Sequence, residues 1–240
     1  MKILITGGSS GLGKAIVKLL SLDESNILFF TYNRNEEEAR QLESSRVNIS
    51  AIHCDYSDKD SVTKLCEMIP SWNLDVLVNN AYVGKVQNDH FHKISSEDFL
   101  RSFEYNLIST IRITQEVVKV FRKNKFGKII NVISACVINT PPIGWSMYAA
   151  NKAYLLELSN SWSKEYGKFN ITSNCISPEL MATNLSKEFD YRIVEQMISE
   201  HPLKKLLTPE EVAETVLFLI KTSQQMNGVN IPINAAQNIL

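Results

Sequence analysis

The stretch from Lys2 to Gly13, KILITGGSSGLG, constrains the fold of this chain more than any other. A short apolar run ends in a glycine-rich turn, and Lys14 to Leu20 follows with the periodicity of a helix. Strand, tight turn and helix in that order open a β-α-β unit. Glycines at 7, 11 and 13 let the backbone turn sharply, approach a ligand closely and pack the helix against the strand. The helix start then presents unpaired N–H groups and a positive dipole end, which suit phosphate. The spacing is TGxxxGxG rather than GxGxxG. Its place between a strand and a helix favours a phosphate site over a plain turn.

The same alternation continues along the chain. Strands are expected at Asn26–Tyr32, Asn48–His53, Leu74–Val78, Gly127–Ile133, Asn170–Ile176 and Gly228–Ile233. Helices are expected at Asp58–Ile69 with Ser57 as cap, from Ser95 through Asn106 to Lys123, and at Met147–Tyr166. Thr208-Pro209-Glu210-Glu211 has a capping threonine, a first-turn proline and glutamate at the third position, and so opens a last helix to Ile220. Strands alternating with helices give an α/β, doubly wound parallel sheet of seven strands with helices on both faces. No linker, repeat or low-complexity segment interrupts residues 1–240, which read as one domain with a lid at 180–202. Ligands of such sheets bind beyond the C-terminal strand ends, where Gly7, Arg34, Asp55, Asn80 and Ser134 fall.

The formal net charge is −1, so nucleic acid and anionic membrane are not expected partners. Lys123, Lys125 and Lys128 read as a solvated helix end. The four cysteines form no CxxC pair and suit neither zinc nor a disulfide framework. No metal is expected, and His90-Asp89-His92 reads as surface loop. No apolar run reaches transmembrane length, and the reading is a soluble cytoplasmic protein.

Two positions carry chemistry. The second strand ends Tyr32-Asn33-Arg34-Asn35, with no carboxylate to meet a ribose 2′-hydroxyl. Arg34 is placed to meet a 2′-phosphate instead, which favours NADP(H) over NAD(H); the alternative is an exposed arginine pairing with Glu36 to Glu38. Tyr148 and Lys152 lie four apart on a helix and so share a face. A cation about 4 Å from the phenol at an effective dielectric near 20 is worth roughly 4 kcal/mol, enough to draw a tyrosine pKa from about 10 toward about 7. Taken alone, the pair reads first as a tyrosine beside a lysine on a helix surface, since such pairs are common.

TGGSSGLG, CDYSD, NNA, an internal Asn106, a strand-end Ser134 and Tyr148-x-x-x-Lys152 together resemble the short-chain dehydrogenase/reductase family, across essentially the whole chain. The resemblance implies Tyr148 as general acid or base, Lys152 as the residue that lowers its pKa and binds the nicotinamide ribose, and Ser134 as the group that polarises the substrate oxygen. Asn106 would hold a water joining Lys152 to solvent. Thr6, Gly7, Ser9, Ser10, Gly11, Leu12 and Gly13 would form the pyrophosphate turn. Asn33 and Arg34 would meet the adenosine phosphate end, Asp55 and Tyr56 the adenine, Asn80 and Ala81 the adenosine ribose, and Pro178 and Thr183 the nicotinamide carboxamide. The implied partner is a small carbonyl or alcohol, and the implied assembly a homotetramer or homodimer built on the helices at Ser96–Lys123 and Met147–Tyr166.

The sequence departs from the family pattern at Tyr82 and Glu179, where glycines are usual, at Ala135-Cys136, and at Asn234-Ala235-Ala236 in place of Asp-Gly-Gly. The substrate pocket is expected between Tyr82–His92, Val137–Trp145 and Leu180–Glu200, with Trp145 and Met147 on its wall. Lys14 is a further candidate for phosphate. A second reading is a silent NADP(H)-binding regulator or scaffold on the same fold. Members of that kind typically lose the tyrosine or the lysine, and both stand here.

Overall fold

In the computed structural model, which describes residues 1–86, 89–183 and 191–237, strands and helices alternate as β1 (Lys2–Ile5), α1 (Gly11–Leu20), β2 (Ile27–Tyr32), α2 (Glu36–Ser45), β3 (Ile49–His53), α3 (Lys59–Trp72), β4 (Val76–Asn79), α4 (Ser96–Phe103), α5 (Ser109–Asn124), β5 (Gly127–Val132), α6 (Ser146–Tyr166), β6 (Ile171–Pro178), α7 (Tyr191–Glu200), α8 (Pro209–Lys221) and β7 (Asn230–Ile233). Among the described residues these strands form one seven-stranded sheet in the order β3-β2-β1-β4-β5-β6-β7, with every pair parallel. The doubly wound architecture expected from the alternation is therefore the one found. The strand order reverses between β1 and β4, which opens a crevice beyond their C-terminal ends.

Successive side chains of a strand point to opposite faces, and the two cores follow that rule. Ile3, Ile5, Leu28, Phe30, Val76 and Val78 pack with Ile16 of α1, Leu42 of α2 and Val216 of α8. Leu4, Phe29 and Leu77 pack on the other side with Leu65 of α3 and Phe121 of α5. Each fully buried aliphatic or aromatic side chain contributes about 1.5–3 kcal/mol. These two cores hold the strand ends in fixed register.

Three local expectations are corrected. The cap of α3 is Asp58, whose carboxylate accepts from the Asp60 N–H at 2.9 Å; Ser57 is already engaged, its N–H and hydroxyl both donating to Asp55 Oδ1. The long helix expected from Ser95 to Lys123 is divided by a π-helical turn at Glu104–Ile108. Lys128 is not a solvated helix end. It lies in β5, is buried, and donates to the carbonyls of Leu219 and Thr222, since a fully buried strand admits lysine only where the ammonium finds acceptors. Burial also lowers its pKa. By contrast, the capping box at Thr208 forms as read, Thr208 Oγ1 accepting from the Glu211 N–H and Glu211 Oε2 from the Thr208 N–H.

Candidate active site

The turn after β1 is fixed by its neighbours. The Gly7 N–H donates to Thr31 Oγ1 at 2.9 Å, and Thr6 Oγ1 accepts from the N–H groups of Asn80 and Ala81. Asn80 Nδ2 donates to the carbonyls of Thr6 and Gly7, at 2.9 and 3.1 Å. Gly7 has φ +70, and a Cβ on Gly13 would stand 2.0 Å from the Gly7 carbonyl oxygen. The first glycine thus turns the chain, and the last lets α1 close on the turn. Ser10 makes no side-chain cap bond, and the first turn of α1 carries no acidic residue. That leaves its dipole end open to an anion.

At the other end of the crevice stand Ser134, Tyr148 and Lys152. Ser134 follows β5; its hydroxyl accepts from the Cys136 N–H at 3.3 Å and lies within hydrogen-bonding reach of the Tyr148 phenol. Lys152, one turn after Tyr148 on α6, is buried and donates to the Val132 carbonyl at 2.7 Å. Its Nζ is 5.7 Å from the centroid of the Tyr148 ring and 5.5 Å from that of Tyr82. Tyr148 is flanked edge-on by Tyr82, centroids 4.9 Å apart, and by Trp145 at 5.6 Å. Trp145 and Tyr148 pack with Cys136, Val86 and Ala149 in a small apolar cluster of their own.

The electrostatics of the pair differ from the sequence expectation. Burial pushes the Tyr148 phenol above its ordinary value, with the Ser134 hydroxyl pulling the other way. Burial also brings Lys152 down from 10.5 to about 8. Loss of solvent outweighs the attraction between the two, because the ammonium is turned to the Val132 carbonyl.

Asn106 is buried in the π-helical turn, and its amide is fully used. Oδ1 accepts from the Val83 N–H at 2.7 Å, while Nδ2 donates to the carbonyls of Val83 and Ser102, each at 3.0 Å. The side chain therefore latches the loop after β4, which carries Tyr82, to the turn. The Asn106 carbonyl accepts from the Thr110 hydroxyl. The Tyr82 hydroxyl is buried beside Ser102 and Asn151, and Asn151 Nδ2 donates to Ser102 Oγ at 2.8 Å.

Between these ends runs a cleft of about 1150 Å³, lined from Arg34 and Ser10 through Asn80 to Ser134, Tyr148 and Pro178. Gly7, Ser9, Gly11, Leu12, Asn33, Tyr56, Ala81, Lys152 and Thr183 also line it. Four expected residues do not: Thr6, Gly13 and Asn106 support the wall from behind, and Asp55 accepts from Ser57 beside it. Arg34 is exposed and makes no ion pair with a described carboxylate, since Arg40 takes Glu36 and Lys14 takes Glu38 at 2.5 Å. An open helix start, a glycine cradle and a free arginine along one cleft fit a nicotinamide dinucleotide. Of the expected pocket wall, Trp145 lines the cleft and Met147 does not; His90 and His92, expected at its edge, stack on each other at 6.0 Å outside it. The expected lid is described at 180–183 and in α7, where Gln196, Met197 and Glu200 line the cleft; its residues 184–190 lie outside the described ones. Sequence reasoning noted Cys136 as a departure without placing it in the cleft wall, and missed Gln237, which only the path of β7 brings to the cleft.

The family model described as enoyl-(acyl carrier protein) reductase matches residues 7–235. The chain is 29% identical to 3-oxoacyl-(acyl-carrier-protein) reductase FabG of Thermotoga maritima over 220 residues, 90% of this chain and 88% of the relative. It is 31% identical to carbonyl reductase family member 4 of Xenopus laevis over 220 residues, 91% of this chain and 90% of the relative. Among solved structures, a short chain dehydrogenase/reductase family protein superposes with a TM-score of 0.86 at 26% identity, covering 98% of this chain and 96% of that one. The 3-ketoacyl-(acyl-carrier-protein) reductase of Brucella melitensis, complexed with NADH, superposes at 0.88 and 22% identity, covering 99% and 98%; at that identity the likeness is one of fold. With Ser134, Tyr148 and Lys152 gathered at one end of a dinucleotide-shaped cleft, the chain belongs to the short-chain dehydrogenase/reductase family, nicotinamide-dependent oxidoreductases that act on a CH–OH or carbonyl group.

Proposed function

We propose that this protein is an NADP(H)-dependent reductase that reversibly converts a carbonyl to an alcohol, working as one domain with α7 as part of a lid. The observation that carries this reading is the placement of Ser134, Tyr148 and Lys152 at one end of the cleft with the unpaired Arg34 at the other. A bound nicotinamide cofactor supplies the hydride. Tyr148 gives its phenolic proton to the substrate oxygen, and Ser134 donates a hydrogen bond to that oxygen as charge develops on it. Burial keeps the phenol protonated at neutral pH, the form that reduction requires. Lys152 meets the nicotinamide ribose and, when charged, favours the phenolate formed. Asn106 acts by holding the Tyr82 loop and the π-helical turn in place. In oxidation the proton returns to Tyr148.

Arg34 supports NADP(H) over NAD(H), because a free guanidinium at the end of β2 offers a fork for a 2′-phosphate. Exposed apolar side chains on α4 and α6, Leu100 at 68% and Tyr154 at 46% exposure, support a homodimer or homotetramer built on those helices. Four unpaired cysteines support a reducing, cytoplasmic setting.

The test is Tyr148→Phe, with turnover followed by NADPH absorbance over a panel of ketones. Loss of the proton donor should cost about 10²–10⁴-fold, while NADP(H) affinity by fluorescence titration stays near that of the wild type. Retained turnover would show that another group supplies the proton.

A further inference from the structure

The ends of β5, β6 and β7 meet beside the reacting end of the cleft. Val132 pairs with Ile176, and Pro178 with Ile233. The segments that leave these strands therefore emerge next to one another: Ser134 to Asn139, then Glu179, then Asn234 to Gln237. The Glu179 N–H donates to the Ile233 carbonyl at 3.0 Å, which ties its backbone to the end of β7. All three segments contribute to the cleft wall through Asn139, Glu179 and Gln237.

The buried side-chain atoms these residues leave without a partner are of one kind. Glu179 Oε2, Asn139 Oδ1 and Gln237 Oε1 are each buried, and each lacks a hydrogen-bond partner among the described residues. All three are acceptors. Buried oxygens are costly to leave unpaired, at about 1–3 kcal/mol each and more for a carboxylate. Glu179 stands where the family has glycine, so the chain carries a carboxylate at the reacting end where no side chain is needed for the fold. Burial raises its pKa, and it lines the same cleft as Ser134 and Cys136.

We propose that Glu179, with Asn139 and Gln237, forms an acceptor-rich subsite that selects carbonyl substrates bearing a hydrogen-bond donor, best a primary ammonium group, at the end remote from the reacting carbon. The proposal rests on the reductase reading above and deepens it. A carboxylate there satisfies an ammonium by charge and hydrogen bond together, and the two amide oxygens take its remaining protons. A plain alkyl chain in the same place leaves all three oxygens desolvated and unpaired, which is the situation in which binding sites discriminate most strongly. The acyl chain of a simple fatty thioester meets that penalty.

The test uses methyl ketones of graded length ended by a methyl, a hydroxyl or an ammonium group, with NADPH as reductant. For the wild type, kcat/KM should favour the ammonium-ended ketone over its methyl isostere by about tenfold or more. Glu179→Gln and Glu179→Gly should each collapse that ratio by about tenfold. Calorimetric titration of the ammonium-ended alcohol into the NADP⁺-loaded protein should show the same loss on substitution. Equal or better turnover of the methyl-ended ketones, or an unchanged ratio in both variants, overturns the proposal. So does a weakening of NADP(H) binding with the ratio unaltered, since the carboxylate then faces the cofactor. If the wild type reduces none of the ketones, the reductase reading fails instead, and the calorimetric comparison still decides whether the subsite binds ammonium.

Discussion

Burial moves the proton affinities of Tyr148 and Lys152 in opposite directions, and this has a measurable consequence for Lys152. Its fall from 10.5 to about 8 corresponds to roughly 3 kcal/mol of unfavourable burial for the ammonium. For a cation whose folded pKa is depressed, the unfolded chain binds more protons between the two values, so stability rises with pH from about 8 toward 10.5. Lys152→Met should therefore abolish turnover yet raise stability at pH 7. The net gain is about 2 kcal/mol once the lost bond to the Val132 carbonyl is counted, and it should vanish as pH passes through that window. Thermal denaturation of both proteins across pH checks it; a variant less stable than wild type at pH 7 would show that the hydrogen bond outweighs the burial. Arg34 lends itself to a simpler test. Arg34→Ala should raise the Kd for NADPH about tenfold or more, the size of a lost charge-assisted pair, and leave that for NADH nearly unchanged. Parallel fluorescence titrations measure the ratio, and an unchanged ratio would refute the NADP(H) preference. The acidic residues of α2 do not compete for this arginine, because Lys14 and Arg40 already occupy Glu38 and Glu36.

The π-helical turn at Glu104–Ile108 matters at the scale of the element. One residue too many for an α-helix places Asn106 inward, where its amide satisfies both polar groups of Val83. That contact sets the height of the loop carrying Tyr82 and so the packing of Tyr82 on Tyr148. Asn106→Ala would leave a buried N–H and a buried carbonyl without partners, at about 1–3 kcal/mol each. We expect a loss of about 2–4 kcal/mol in denaturant titration, with a fall in kcat as Tyr148 loses its flanking ring. A loss under about 1 kcal/mol would mean that water replaces the amide. The residues around it offered Asn106 only as a polar residue in an apolar helix, and the family resemblance gave it a water to hold rather than a loop. The extra residue of a π turn has no local signature, because it is a register shift held by contacts with Val83, which is distant in sequence.

For the whole molecule, the exposed Leu100 and Tyr154 on α4 and α6 lead us to expect a dimer or tetramer in sedimentation, and Leu100→Lys with Tyr154→Lys should shift it toward monomer; a wild-type monomer would refute the assembly. The sheet itself was legible in the sequence. Its strands are short apolar runs closed by turn residues, and its helices carry local start signals such as Thr208-Pro209-Glu210-Glu211, so both follow from interactions within a few residues. The motif residues were legible for a related reason, since a parallel sheet gathers its strand ends on one side whatever the loops do. The sequence alone thus determined the α/β alternation, the glycine turn and the Tyr148–Lys152 spacing, all fixed by the local geometry of strand, turn and helix. Only the tertiary structure decided which of these groups are buried, and with that the raised Tyr148, the lowered Lys152, the working position of Lys128 and the unpaired oxygens of Glu179, Asn139 and Gln237. Solvation and hydrogen-bond partnership depend on atoms that neighbouring strands supply, and no window of adjacent residues contains them.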